Sequence, residues 1–263
     1  MIESIRKFLK KNLNPESMTY FLLKNIWYKS KLIYQYFYFF FIYPDVRIVV
    51  NKLNQNLDSL YKGQFFQDRE IDKFFNHKKN GFFVDIGANS PIRGNNTYFF
   101  EKNRSWSGIA IDPIPKYIKE WAKERKKTKF VSVACGNREG KIRFVVINSN
   151  QGGWEDMLSA SSKNIRKEDL LYPHKTITVP IKTLNSILTE ENIKLIDFIS
   201  IDVEGGEIDV LFGLDLVKYK PTLILLENTK NIVGSMALRD YLNANGYIFV
   251  LRINTTDDVF LKA

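Results

Sequence analysis

Four carboxylates stand where short apolar runs give way to turns. Asp85 follows Phe82-Phe83-Val84, Asp112 closes the run 108–112, Asp202 follows the run 195–201, and Glu227 falls within the run 222–229. Apolar runs of this length, bounded by turn residues, read as buried parallel strands. In an open α/β sheet the C-terminal ends of such strands share one crevice. An acid there is costly to bury unless a ligand or a donor pairs with it. A single one caps a helix or shapes a turn; four in one register imply a polar or cationic ligand.

Asp112 lies 27 residues after Asp85, near the offset of about 20 at which an acid takes a ribose after the first turn. Gly87 in that turn frees the backbone to approach a ligand closely. The turn is not G-x-G-x-x-G, which counts against NAD or FAD, and the chain has no P-loop. A nucleoside without a pyrophosphate fits better. S-adenosylmethionine is one: adenine, ribose and a cationic amino-acid tail that acids would welcome.

The elements that position these acids alternate. After the first strand, the polar loop 90–96 leads to a helix at TYFFEKN, which Asn95 or Asn96 can cap. Pro113 and Pro115 open a helix with Ile114, Ile118, Trp121 and Ala122 on its apolar side. Residues 129–136 read as a third strand, and KIRFVVIN and TITVPI as an antiparallel excursion. Between the last two runs a polar loop, roughly 148–175, contains His174; a loop that long is a lid or disordered. Thr183 caps LNSILTEEN and Ser235 caps MALRDYLNAN. Two strands joined by NTTDD close the chain. The order predicts a doubly wound α/β sheet, mainly parallel, with one antiparallel edge element.

With 263 residues the chain can build a sizeable core. One cysteine, Cys135, excludes an internal disulfide and points to a reducing compartment. One Cys and two His cannot form a zinc site of usual spacing. Half of the +10 net charge lies in residues 1–31, which hold seven basic and two acidic residues. Such a patch meets nucleic acid, anionic lipid or a phosphorylated substrate, or is a solvated helix face. Residues 20–44 are crowded with aromatics, but the longest uncharged stretch, 32–44, is short of the ~20 residues that span a bilayer. It fits peripheral membrane contact as an interfacial helix, or aromatic packing on the domain or in a dimer. Residues 45–62 read as a polar helical connector, and 1–60 as an extension ahead of a domain at 61–263.

The strings VDIGAN (84–89), NNTYFFE (95–101), GIAIDPIP (108–115) and ISIDVEGGEIDVL (199–211) resemble those of FkbM-type methyltransferases. So do Val179 to Leu184, LLEN at 225–228 and GQFFQD at 63–68. The resemblance covers about residues 60–250. It implies a class I methyltransferase (Rossmann-like) fold that uses S-adenosylmethionine, usually to methylate an oxygen of a sugar, polyketide or related metabolite. Carried over by position, Asp85, Gly87, Ala88 and Asn89 line the methionine side, with Asn96 and Thr97 in the same motif. Asp112 and Pro113 serve the ribose, Ala134 and Cys135 flank adenine, and Asp202 to Glu204 form the floor near the reacting methyl. Asn228 stands where some relatives carry His.

Methyl transfer to a sugar hydroxyl needs in-line alignment and a base. The catalytic candidates are Glu204, Asp202, Glu227 and His174. Glu204 is the favoured base, because it sits just beyond a strand end. It could instead cap the helix starting near Gly206, and Asp202 with Glu204 could hold a divalent ion. His174 could be an incidental loop residue. The expected acceptor is a sugar hydroxyl in a glycan or nucleotide-activated precursor, and the expected location cytoplasmic, at or near the inner face of a membrane. The alternatives are a nucleic-acid methyltransferase, disfavoured because the charge is concentrated at the N-terminus, and a non-catalytic scaffold.

Overall fold

The computed structural model describes residues 18–54, 59–148, 155–231 and 233–263. Eight strands form the main sheet: β1 (Arg47–Val49), β2 (Phe82–Ile86), β3 (Ser107–Ile111), β4 (Thr128–Val131), β9 (Phe198–Ile201), β10 (Leu223–Glu227), β11 (Tyr247–Ile253) and β12 (Asp257–Lys262). Their order is β1-β11-β12-β10-β9-β2-β3-β4. Four more, β5 (Ala134–Gly136), β6 (Gly140–Ile147), β7 (Ala160–Ser161) and β8 (His174–Thr183), make a second sheet in the order β5-β8-β6-β7.

Helices cover both faces of the main sheet, as the alternating pattern predicts. On one face Val84, Ile86, Ile199, Ile201, Ile224 and Leu226 meet α5 (Leu184–Glu190), α6 (Glu207–Phe212), α7 (Leu216–Tyr219) and α8 (Met236–Ala244). On the other, Phe83, Phe198, Leu223 and Leu225 meet α2 (Gln67–Phe74) and α3 (Tyr98–Arg104). The period of two along each strand sorts the side chains this way. A third cluster joins α4 (Tyr117–Glu124) to the small sheet through Trp121, Phe144 and Val179.

Several expectations are corrected. The antiparallel strand is not at the edge: β12 runs antiparallel to both β10 and β11 and lies between them. The edge belongs to β1, which pairs parallel with β11 where the sequence suggested a helical connector. Three residues of Arg-Ile-Val are too few to show a period, so the partner strand decides. The single strand expected at 129–136 is two, because the chain turns at Val131–Val133 and Ala134–Gly136 joins β8 in the other sheet. The antiparallel excursion is present as β6 and β8. Thr183 caps α5 by accepting from Ser186 N, whereas Ser235 stands at the start of α8 without a capping bond. Thr97, not Asn95 or Asn96, precedes α3; Asn95 Oδ1 accepts instead from Thr97 N, 3.0 Å away.

Helix α1 (Met18–Ile42) packs against β11 and the start of the turn that follows it. Gln35 Nε2 donates to Asn254 O (2.8 Å), and Phe39 is buried against Phe249.

Candidate active site

The strand registers explain why the acids gather. Asp85 pairs with Ser200, and Ser200 with Leu225. Asp202 and Glu227 each lie two residues further on, so they stand level on neighbouring strands with the same parity as Asp85. One carboxylate oxygen from each of Asp202, Glu204 and Glu227 lies within 4.8 Å of the others. All three line a cavity of about 980 Å³ at the C-terminal ends of β2, β3, β9 and β10.

Asp85 and Asp112 line the same cavity from the other side. Asp85 Oδ2 accepts from Thr97 Oγ1 (2.9 Å) and Asn95 Nδ2 (3.0 Å). Burial raises its pKa. Asp112 accepts from two backbone groups, Ile114 N (2.8 Å) and Asn89 N (3.0 Å), and burial pushes it up to about 6. Each of its oxygens keeps a free lone pair for a ligand hydroxyl. Asn89, in the left-handed region at φ 46°, is fixed in turn by Trp121 Nε1, which donates to its carbonyl (2.8 Å), and by the Tyr117 hydroxyl.

The turn after β9 holds Glu204, another non-glycine residue at positive φ (53°). Such strain persists only where the surroundings impose it, and it concentrates at functional sites. Here the Glu207 carboxylate accepts from Val203 N (3.3 Å) and Gly205 N (2.9 Å), pinning the loop. Glu207 therefore does the capping offered as the alternative role for Glu204, whose carboxylate lines the cavity. Burial pushes Glu204 up to about 7, against the pull of Arg166, whose guanidinium is 3.6 Å away. Asp202 and Glu227 lie well above the ordinary carboxylate range, through burial first and then mutual repulsion with the neighbouring acids. The Asp202 side chain is exposed into the cavity.

Of the other expected site residues, Gly87, Ala88, Asn89, Asn96, Pro113, Ala134 and Cys135 also line the cavity. The Cys135 thiol is pushed up to about 12 by burial, so it stays neutral. Two candidates do not reach the cavity. Thr97 is fully buried and serves Asp85. His174 is exposed at the start of β8, seven residues along the strand from the cavity-lining Ile181, about 23 Å at the usual rise per residue. It pairs across to Ile147 and contacts Tyr172 O. Asn228 is also turned away: it bonds Ser235 and Asp258 in a buried network.

Two positioning residues carried no recognisable signal. Arg125 is buried and holds Glu101 Oε2 (2.9 Å), Asn95 Oδ1 (3.0 Å) and Thr97 O (3.1 Å), tying the N-T-Y-F-F-E segment to the end of α4. Asp156 lies in the long loop and receives Arg93 (2.9 Å), Lys116 (2.7 Å) and the Tyr117 hydroxyl (2.7 Å). That cluster docks the described part of the loop onto α4, beside the cavity.

The sheet order, the covering helices and the crevice at the strand ends define a class I methyltransferase domain. The methyltransferase FkbM domain matches residues 85–249, more than half of the chain, and the chain belongs to that family. Among solved structures, the "METTL16 MTase domain" is similar at 11% identity and a TM-score of 0.45, covering 81% of this chain and 72% of that one. A search of curated proteins finds no match.

Family and fold together imply S-adenosylmethionine as the methyl donor. The residues present fit it. Asp112 offers lone pairs for ribose hydroxyls, and the acids at the ends of β2, β9 and β10 offer carboxyl oxygens whose ionised form a bound ammonium or sulfonium would favour. When bound, the donor supplies an electrophilic methyl group; the chain must hold it, align the acceptor and exclude water.

Proposed function

We propose that this chain is an O-methyltransferase acting on a hydroxyl of a sugar, a glycan or a related small metabolite. The observation that carries the reading is Glu204. Its carboxylate lines the cavity on a strained turn, and burial sets its pKa at about 7. A base tuned near neutrality suits proton removal from a weakly acidic hydroxyl. Burial first, and then the Glu207 and Asp169 carboxylates, make Glu204 a stronger base than an isolated carboxylate.

Asp85, Asp112, Asp202 and Glu227 line the cavity from the ends of the main sheet, while Arg138, Lys141, Arg143, Lys163 and Arg166 come from the small sheet and the loop beside it; Arg93, Asp156 and Asp209 also line it. This supports an acceptor with an anionic group, such as a nucleotide-activated sugar, in which the cations hold the phosphates and the hydroxyl points to Glu204.

The test is calorimetric titration with S-adenosylhomocysteine, followed by an acceptor screen. Wild type should bind in the micromolar range, and Asp112→Ala should lose at least about tenfold, the cost of one ribose carboxylate bond. Sugar and nucleotide-sugar acceptors should then yield methyl ethers. Cofactor binding with turnover on nucleic acid alone would overturn the acceptor assignment, and a folded chain that binds no cofactor would favour a scaffold.

A further inference from the structure

Helix α1 is apolar on two opposite sides. One side, with Gln35 and Phe39, packs on the β11–β12 hairpin. Opposite it, Leu22, Ile26, Ile33, Phe37 and Phe40 follow one another at intervals of four, seven, four and three residues, which keeps them on a single stripe. Nothing among the described residues covers that stripe: Ile26 is 59% exposed, Phe37 63%, Phe40 71% and the adjoining Phe41 72%. Where the helix ends, Phe37, Phe40, Phe41, Pro44 and Val46 wall a groove of about 420 Å³ that contains no charged side chain. Soluble monomers rarely expose a contiguous apolar surface of this kind.

Charge decides among the occupants. The helix carries Lys24, Lys29 and Lys31 and no acidic residue. Lys29 borders the stripe, so pairing two copies through it would bring like charges together, while Lys24 and Lys31 lie on the opposite side, where an interfacial helix carries its cations. An anionic bilayer complements them, since each Lys near such a surface adds about 1 kcal/mol of attraction. Tyr28, Tyr34 and Tyr36, all exposed on the same helix, are residues that favour the headgroup level. No helix of the described residues is long and apolar enough to cross a membrane. We infer that α1 is an interfacial anchor that lays Phe37, Phe40 and Phe41 into the surface of an anionic membrane. The helix is tied to the chain near the cavity: Gln35 is bonded to Asn254, two residues before the cavity-lining Thr256. This inference does not depend on the acceptor.

Co-sedimentation of the full chain with lipid vesicles tests it. Vesicles of phosphatidylcholine with phosphatidylglycerol should bind the chain at least about tenfold more tightly than phosphatidylcholine alone, as expected for several lysines at an anionic surface. The triple change Phe37→Ser, Phe40→Ser, Phe41→Ser should abolish binding while leaving the melting temperature unchanged, because all three side chains are exposed. Lys24→Gln with Lys29→Gln and Lys31→Gln should remove the preference for anionic lipid. No binding to anionic vesicles, or binding that survives the Phe changes, overturns the inference. So does a dimer in sedimentation velocity that the Phe changes dissolve, with no vesicle binding; that result gives the face to a second copy.

Discussion

A Cβ placed on Gly87 would stand 1.6 Å from the carbonyl oxygen of Asp202. The backbone leaving β2 and the backbone leaving β9 are therefore in contact, and the two turns, both lining the cavity, form one unit. The glycine is required by a neighbouring strand, over and above its positive φ of 76°.

Gly87→Ala should accordingly separate the two turns. The expected result is a clear fall in melting temperature and loss of S-adenosylhomocysteine binding in calorimetry. Gly205→Ala is the control. It too sits at positive φ (96°), but a Cβ there meets nothing closer than 3.6 Å, so it should show only the conformational cost, on the order of 1 kcal/mol. Equal losses in the two variants would show that the contact with Asp202 is unimportant.

The pKa of Glu204 predicts the pH–rate profile. A base works when deprotonated, so kcat/KM should rise with pH and level off above about 7. Glu204→Gln should remove that limb and lower kcat by about 10²–10⁴. Arg166 pulls the pKa down, so Arg166→Ala should move the limb to higher pH. Addition of EDTA should leave the profile unchanged; a loss of activity restored by magnesium would instead assign the carboxylates to a divalent ion.

The same acids make stability depend on pH. Asp112 (about 6), Glu204 (about 7), Asp202 and Glu227 are all raised above ordinary carboxylates. The folded chain thus holds protons that the unfolded chain has released. The associated stability is complete below the unfolded value of about 4 and disappears as pH rises through about 6 to 7 and beyond. Melting temperature should fall between about pH 5 and pH 8. Asp202→Asn should flatten the slope and raise the melting temperature at the upper end. Asp72, Glu101 and Asp156 are shifted down, so their contributions change only at lower pH.

Arg125 should prove indispensable to folding although it does not line the cavity. Removing it leaves the buried Glu101 without its cation and opens the support of Asp85. Arg125→Ala should cost about 3–5 kcal/mol in denaturant unfolding, the usual result of breaking one side of a buried pair. A cost below about 1 kcal/mol would show that water replaces the guanidinium.

Much of this was readable in the chain itself. The runs around Val84, Ile109, Ile199 and Leu225 are continuous and apolar because those strands are covered on both faces, and such runs are visible without a structure. The acids could be assigned to one crevice because strand ends converge by topology. The Arg47–Val49 strand could not be read, since its pattern is too short and its hydrogen bonds lie with residues two hundred positions away. His174 looked like a lid residue because the loop's end was unmarked; the pairing of Ile147 with His174 places it on a strand away from the cavity.

The sequence by itself determined the alternation of elements, the parity that puts Asp85, Asp202 and Glu227 on one side, and the family. These rest on local periodicity and on motif strings, which are properties of neighbours in the chain. Only the tertiary structure decided that Glu207 and not Glu204 shapes the turn, that Arg125 and Asp156 brace the site, and that α1 keeps an uncovered apolar stripe. Those facts depend on which distant groups come within hydrogen-bonding or van der Waals reach, and burial, which sets the pKa of each acid, exists only once the chain has closed around it.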